Sequence, residues 1–406
     1  MPLPSAATGG ARPIGSGVEG GRSGAGVRQT TPDGAAAFLD QLSSPRYVLD
    51  LRSHAPGAGP PAGSAPRRAE SPGGRAPSPA VLLVSRSGDG EFRAVAELLG
   101  RVGVPAVRVD ADGIDGADLQ VDPLRGVVRV DGRRLRPTVV WPRHFSARAI
   151  EGGGEPARDL FLRESWESAA DQLCEVAAVS LRAPRLRAPA QLRLAAASGV
   201  AVPATLLTTD PRRAGGELRG SRLVIKAAHR HFVEAAPGTL TGVFPVLVAR
   251  GDPASGPVPP PRPGPPVLVQ EYVEHEAELR VHCVAGEVYG FRVVKTAPDD
   301  LWVREDRVSV HAVDPPPGVV RAARALAAAA SLRYCAFDFL MRDGEPVFLE
   351  MDPDGDWRWM EAKAGTTAVT AAVARMLCDL HRAHLPAAPR PPSGRFDLLS
   401  FLTGRE

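Results

Sequence analysis

Lysine is nearly absent from this chain. Of 49 basic residues in 406, only Lys226, Lys295 and Lys363 are lysine, and the other 46 are arginine. Such a bias reads as mutational pressure on codons, and it makes each lysine worth inspecting. Cysteine is also scarce. Cys174, Cys283, Cys335 and Cys378 are scattered without a C-x-x-C spacing, which suggests neither zinc nor a disulfide framework and leaves a reduced cytoplasm as the expected location. No run reaches the roughly 18 uninterrupted apolar residues of a membrane span. The N-terminus lacks a signal-peptide core, so no membrane partner is expected. A formal charge of +3 is too balanced to imply nucleic acid. What is present is an apolar content of 44%, enough for a real core in one or two domains.

The most informative stretch is Tyr334 to Glu361, YCAFDFLMRDGEPVFLEMDPDGDWRWME. Two apolar, strand-like runs flank Asp343-Gly344, a hairpin turn signal. Acids interrupt them. Asp338 stands between two phenylalanines, and Glu350 and Asp352 are two apart, on one face of an extended segment. Buried carboxylates cost several kcal/mol each unless a cation offsets them, so a metal or a basic partner is implied. A three-residue loop would set Asp338 opposite Glu350; a two-residue turn would pair it with Leu349 unless a bulge intervenes. If the acids share one metal, all-oxygen ligation suits Mg²⁺, whose remaining ligands are waters and phosphate oxygens.

This constellation resembles the last motif of the ATP-grasp superfamily, an Asp on one strand and Glu-x-Asn on the next. Its tail, Glu350 to Glu361, is similar to the E-x-N-P-x-G-Q-W-x-W-x-E signature of graspetide (microviridin-type) peptide ligases. Asp352 stands where the family has a metal-binding Asn, and Asp356 where it has Gln. The resemblance implies Asp338, Glu350 and Asp352 as metal ligands, Phe348 as a nucleotide contact and Trp357 as a substrate contact.

In chain order, residues 1–78 are rich in Gly, Pro, Ala and Ser and read as a disordered, low-complexity extension. One island, Ala35 to Leu51, has the pattern of a short helix and strand, either a docking segment or a partly ordered tail. Val81 to Val84, Phe92 to Leu99 and Val107 to Asp110 form a βαβ start, followed by a hairpin around Asp131-Gly132. The next strand ends at Pro142-Arg143; by resemblance Arg143 faces the substrate, and a surface arginine is the plain alternative. Residues 158–180 have a helical apolar stripe that includes Leu160, Phe161 and Leu173, read as a core face. Residues 79–182 are thus expected to be a parallel-sheet pre-ATP-grasp α/β domain, 183–385 the ATP-grasp domain and 386–406 a tail.

Gly199 to Thr205 is similar to the family's G-x-x-V-P-x-T. A phosphate-binding lysine usually precedes it; here Arg187 is the available cation. Lys226 ends an apolar strand where a fixed cation can hold ATP phosphates, and residues 227–243 resemble the loop that closes over them. His229 and His231 lack a third zinc ligand nearby. Gln270, Glu271, Tyr272 and Val273 resemble the hinge that reads adenine. Glu278 and Arg280 match an E-x-R-V element, the acid for ribose and the arginine for charge on the transferred phosphoryl group. Arg304 lies in a loose match to a substrate-binding D-W-R.

The resemblance implies an α/β ATP-grasp ligase using ATP and Mg²⁺. It would activate Asp or Glu side chains of a ribosomal precursor peptide as acyl phosphates and close ω-ester or ω-amide crosslinks, with Lys226 and Arg280 stabilising charge. A homodimer is a further expectation. Two rivals stay open: a ligase of free amino acids or peptides, and a non-catalytic nucleotide-binding scaffold.

Overall fold

The computed structural model describes Phe38, Gln41 and residues 45–50, 76–114, 116–249, 264–296 and 305–385. The first strand, β1 (Val48–Asp50), belongs to a sheet assembled much later in the chain.

A six-stranded sheet follows. It comprises β2 (Ser78–Ser85), β3 (Ala106–Asp110), β4 (Leu119–Asp122), β5 (Val127–Val130), β6 (Arg133–Pro142) and β7 (Val179–Ser180). Strands β3, β2, β6 and β7 run parallel, and the β4–β5 edge is antiparallel. Ala80 to Val84 are wholly buried, as a continuous apolar run must be when both sheet faces are covered. Asp89 caps α1 (Gly90–Arg101), its Oδ1 accepting the Phe92 N–H at 2.9 Å. Asp131 and Gly132 join β5 to β6 with φ of +47° and +78°, the primed geometry that suits strand twist.

Helix α2 (Pro156–Glu175) forms where expected but does not bury the whole stripe. Ala170, Leu173 and Cys174 reach the sheet, whereas Leu160 and Phe161 are 56% and 72% exposed, and the earlier part of the helix packs through Leu162 and Trp166 on Ala111, Ile114, Ala149 and Ile150.

Next come α3 (Ala188–Ala197), β8 (Thr205–Thr208), α4 (Pro211–Glu217), β9 (Arg222–Ala227), β10 (Phe232–Ala236), β11 (Thr239–Gly242), β12 (Val246–Ala249) and β13 (Val267–Glu271). Four of these make an antiparallel sheet in the order β12-β9-β13-β8. Residues 232–242, expected as part of a loop, are instead a hairpin, and β1 adds to it in the order β1-β11-β10. Phe38 and Gln41 are helical and Val48–Asp50 is a strand, so the island Ala35 to Leu51 has the helix-and-strand pattern expected of it at these positions.

A five-stranded antiparallel sheet, β16-β15-β14-β17-β18, faces the four-stranded one across a cleft. Its strands are β14 (Ala277–Val284), β15 (Glu287–Val294), β16 (Ser309–Val313), β17 (Tyr334–Arg342) and β18 (Glu345–Asp352), and α5 (Pro317–Ala329) packs beneath it. The chain then returns through α6 (Arg358–Ala364) and α7 (Ala368–Ala383). Val369, Val373 and Leu377 of α7 share one core with Val81, Leu83 and Trp141 of the first sheet, so the two ends of the described fold are packed as one body.

Candidate active site

The β17–β18 hairpin sets the chemistry through one irregularity. Arg342 pairs with Glu345, so the turn has two residues, Asp343 and Gly344, with φ of +53° and +76°. A regular ladder would then oppose Asp338 to Leu349. Instead Asp338 pairs with Glu350 and Phe339 with Phe348, leaving Leu349 as the extra residue of a β-bulge. The bulge brings the acids together and changes the strand's phase. Leu349 and Glu350 both line the cleft, while Phe348 turns into the core against Phe339. The expected nucleotide contact at Phe348 is therefore corrected: it lies behind the site wall.

Arg280 lies across from Asp338 on β14. Its Nη1 donates to Asp338 Oδ2 at 2.8 Å and its Nη2 to Asp352 Oδ2 at 3.1 Å. Its Nε is buried and has no partner among the described residues. Burial pushes Asp338 up to about 7, helped by the Glu350 carboxylate and opposed by Arg280. Burial also resists ionisation of Asp352, and the Arg280 guanidinium favours it. Gly355 makes this packing possible. A Cβ there would lie 2.5 Å from the Ala336 Cβ and 2.6 Å from Arg280 Nη2, so only glycine lets the turn approach.

The expected metal triad thus divides. Among the described residues, no three His, Cys, Asp or Glu side chains converge as a metal cage. Asp338 and Glu350 are paired across the hairpin, Asp352 is paired with Ala336, and Arg280 holds both Asp338 and Asp352. Two apposed, half-buried carboxylates still suit a divalent cation whose other ligands are waters and phosphate oxygens.

Lys226 stands opposite, on β9. Its Nζ donates to Gln270 Oε1 at 2.8 Å, and burial lowers its pKa despite nearby Glu350 and Asp338. Two cavities meet here. The first, about 200 Å³, is walled largely by apolar groups such as Val224, Phe232, Val273, Leu340 and Met360. The second, about 460 Å³, is polar and basic, with Arg86, Arg185, Arg187, His229 and Arg230 on its walls. Lys226, His231, Gln270, Leu349, Glu350 and Asp352 belong to both. Burial lowers the Arg230 pKa, opposed by Asp354 and helped by Arg86, Arg187 and Arg148. Positive charge is crowded there, as in a site for anions.

The remaining expected residues are distributed as follows. Gln270, Glu271, Tyr272, Val273 and Glu278 line the first cavity. Glu271 also accepts the backbone N–H of Arg219 at 2.6 Å, and Glu278 is held by Lys295 at 2.7 Å. Arg187 is exposed at the rim of the second cavity, its Nη1 donating to His229 Nδ1 at 3.1 Å. Arg304 lies outside the described residues.

Arg143 and Trp357 are corrections. Both are fully buried, and neither lines the two cavities. Arg143 donates to Asp89 at 3.0 Å and to Asp356, lies 3.8 Å from Glu91, and sits 4.8 Å over the Trp357 ring. Trp357 donates its indole N–H to Thr370 Oγ1 at 2.9 Å. Asp356, the residue in place of Gln, neutralises Arg143.

Sequence reasoning missed Lys295 and His275, which line the first cavity beside Glu278, and Arg86 and Arg230 in the second. The rarity of lysine was the available signal for Lys295. Nothing distinguishes two arginines among 46.

No family model matches the chain, and no curated protein does. Solved structures do. The macrocyclase MdnC from Microcystis aeruginosa, bound with its precursor peptide MdnA, is 20% identical with a TM-score of 0.59 over 74% of this chain and 99% of MdnC. The ATP-grasp ligase PsnB, complexed with a minimal precursor, Mg and ADP, is 19% identical with a TM-score of 0.59 over 74% of this chain and 98% of PsnB. A Chryseobacterium gregarium RiPP-associated ATP-grasp ligase, in complex with ADP and a leader and core peptide, is 18% identical with a TM-score of 0.58, covering 74% and 97%. The two facing antiparallel sheets, the preceding α/β sheet and these matches together give the chain the ATP-grasp fold.

Proposed function

We propose that the chain is an ATP-dependent ligase of the graspetide type, which activates Asp or Glu side chains of a ribosomal precursor peptide and closes ω-ester or ω-amide crosslinks. The observation that carries this reading is the junction of the two cavities at Lys226, Glu350 and Asp352. An apolar cavity beside a hinge strand suits a nucleotide base. A larger basic one suits an acidic peptide side chain, and the shared wall puts both at the same charged groups.

The γ-phosphoryl group passes from ATP to a carboxylate oxygen of the peptide, and ADP leaves. A hydroxyl or amine of the same peptide then attacks the acyl carbon, phosphate departs with the bond pair, and the nucleophile's proton is released. Lys226 and Arg280, which both line the first cavity, stabilise charge on the moving phosphoryl group. Asp338 and Glu350 would hold Mg²⁺, which supplies charge neutralisation of the phosphates when bound. Catalysis here is positioning and electrostatics, with no side-chain nucleophile.

The test is incubation with ATP, Mg²⁺ and a precursor peptide carrying Thr, Ser or Lys together with Asp and Glu. The expected product loses about 18 Da of water per crosslink, with ADP formed in proportion. An ester reopens in mild base and an amide survives. A mass gain equal to an added amino acid would favour a free-amino-acid ligase, and bound but intact ATP would favour a scaffold.

A further inference from the structure

The segment that includes Phe38, Gln41 and residues 45–50 packs against the β10–β11 hairpin and the four-stranded sheet. β1 pairs antiparallel with β11, Val48 with Thr241, Leu49 with Leu240 and Asp50 with Thr239. The Gly242 N–H donates to Tyr47 O at 3.1 Å, extending the ladder. Gln41 clamps the backbone of Phe244 from both sides: its Nε2 donates to Phe244 O at 3.1 Å, and the Phe244 N–H donates to its Oε1 at 2.9 Å. Leu49, Phe232, Leu240 and Phe244 form a closed apolar cluster with Tyr47 packed on it. Tyr47 meets Phe232 and Phe244 edge to face at 6.1 and 5.8 Å. Phe38 packs separately, against Leu218, Leu223 and Val269 of the four-stranded sheet and its helix.

Two features give this docking a consequence. The β10–β11 hairpin has only two strands of its own, and an isolated hairpin is at best marginally stable in water. Its stability therefore depends on what is added to its edge. Further, Phe232 belongs to both environments: it contributes to the cluster that receives Tyr47 and Leu49, and it lines the first cavity next to His231. A segment that orders β11 on one side thus fixes a wall of the cavity on the other.

We propose that the outer edge of β11, with the pocket formed by Phe232, Leu240 and Phe244, is a peptide-docking surface used by strand addition. Its occupant is this chain's own segment bearing Phe38, Gln41, Tyr47 and β1. Docking holds the hairpin over the cavity, so segment docking and nucleotide binding stabilise one another. The coupling rests on the nucleotide reading of the first cavity; the docking itself does not.

The test uses the full chain in two forms. One carries Leu49→Asp, which puts a charge into the apolar cluster. The other carries a protease site inserted between residues 51 and 75, so that cleavage frees the segment with every contact side chain unchanged. Amide hydrogen exchange of β11 and affinity for a non-hydrolysable ATP analogue with Mg²⁺ are measured in each. We expect β11 exchange to rise at least tenfold in Leu49→Asp and in the cleaved protein after the fragment is washed out. Analogue affinity should fall about fivefold, and a synthetic peptide of residues 35–53 should restore both values in the cleaved protein. Unchanged β11 exchange after release of the segment overturns the docking. Raised exchange with unchanged analogue affinity overturns the coupling. If the unaltered chain binds no analogue, the ligase reading and the coupling fall together, and the exchange data still decide the docking.

Discussion

Arg143 lies against Asp89, Glu91 and Asp356, and Arg280 against Asp338 and Asp352, with Glu350 close by. The chemistry of the two groups is alike, and the difference is access. Side chains around Arg143 are at most 5% exposed, whereas Asp338 and Asp352 keep 26% and 30%. The first group is saturated by its own members and by the faces of Phe92 and Trp357. The second leaves one guanidinium N–H unsatisfied and opens on a cavity. A buried arginine among acids is therefore a fastener when its donors are all used, and a candidate site when one is left over.

The sharpest way to break this contrast is to remove each arginine. Arg143→Ala strands buried carboxylates and should cost about 3–5 kcal/mol of stability in chemical denaturation. Arg280→Ala should shift the midpoint far less, since water can reach its acids, while abolishing turnover. Equal midpoint shifts would erase the distinction drawn between the two groups.

Glu350→Gln comes next. It keeps the size of the side chain and removes a charge at the junction of the cavities. Peptide-dependent ADP release should fall by about 10²–10³-fold, the scale of losing one preorganised electrostatic contact, with the thermal midpoint nearly unchanged. Undiminished turnover at saturating Mg²⁺ would remove Glu350 from the site. Lys226→Ala should weaken nucleotide binding by about 1.5–3 kcal/mol, a charged hydrogen bond. Calorimetry showing equal affinity would leave the lysine as a mere strand end.

The smallest effect probes the sealed group by pH. Burial, with Asp356 alongside, pushes Glu91 up to about 7 from an ordinary 4.5. The folded protein therefore holds more protons than the unfolded chain between those values. The stability tied to that proton is complete below 4.5 and is lost as pH rises through 7. Glu91→Gln, whose Oε1 can still accept the Arg358 N–H, should raise Tm by a few degrees at pH 8 and leave it unchanged at pH 5. A rise of equal size at both values would mean that packing, not charge, is responsible.

The hairpin 334–352 was legible because acids in apolar strands contradict their surroundings, and only a cation resolves the contradiction. The turn at Asp343-Gly344 was legible from its residues, but the bulge at Leu349 was not, since a register slip leaves no mark on composition. That slip is why Leu349 and Glu350 both line the cleft while Phe348 lies in the core. Arg143 and Trp357 misled for a different reason: a large aromatic beside acids and an arginine has the same pattern whether the cluster opens on a cavity or is sealed. Pairing of β1 with β11 spans nearly two hundred residues, and no local periodicity encodes such a distance. The α2 stripe is buried only in part for a similar reason, because what a helix face meets beyond the sheet is a tertiary fact.

The core shared by the first sheet and α7 bears on how the chain is made. Val81, Leu83 and Trp141 leave the ribosome long before the helix that covers them is made, and long before Asp356. The first sheet must wait with an apolar face uncovered, and contacts of such long sequence separation form slowly. Holdase chaperones should therefore engage nascent chains stalled before Asp356 and release those extended past Ala383.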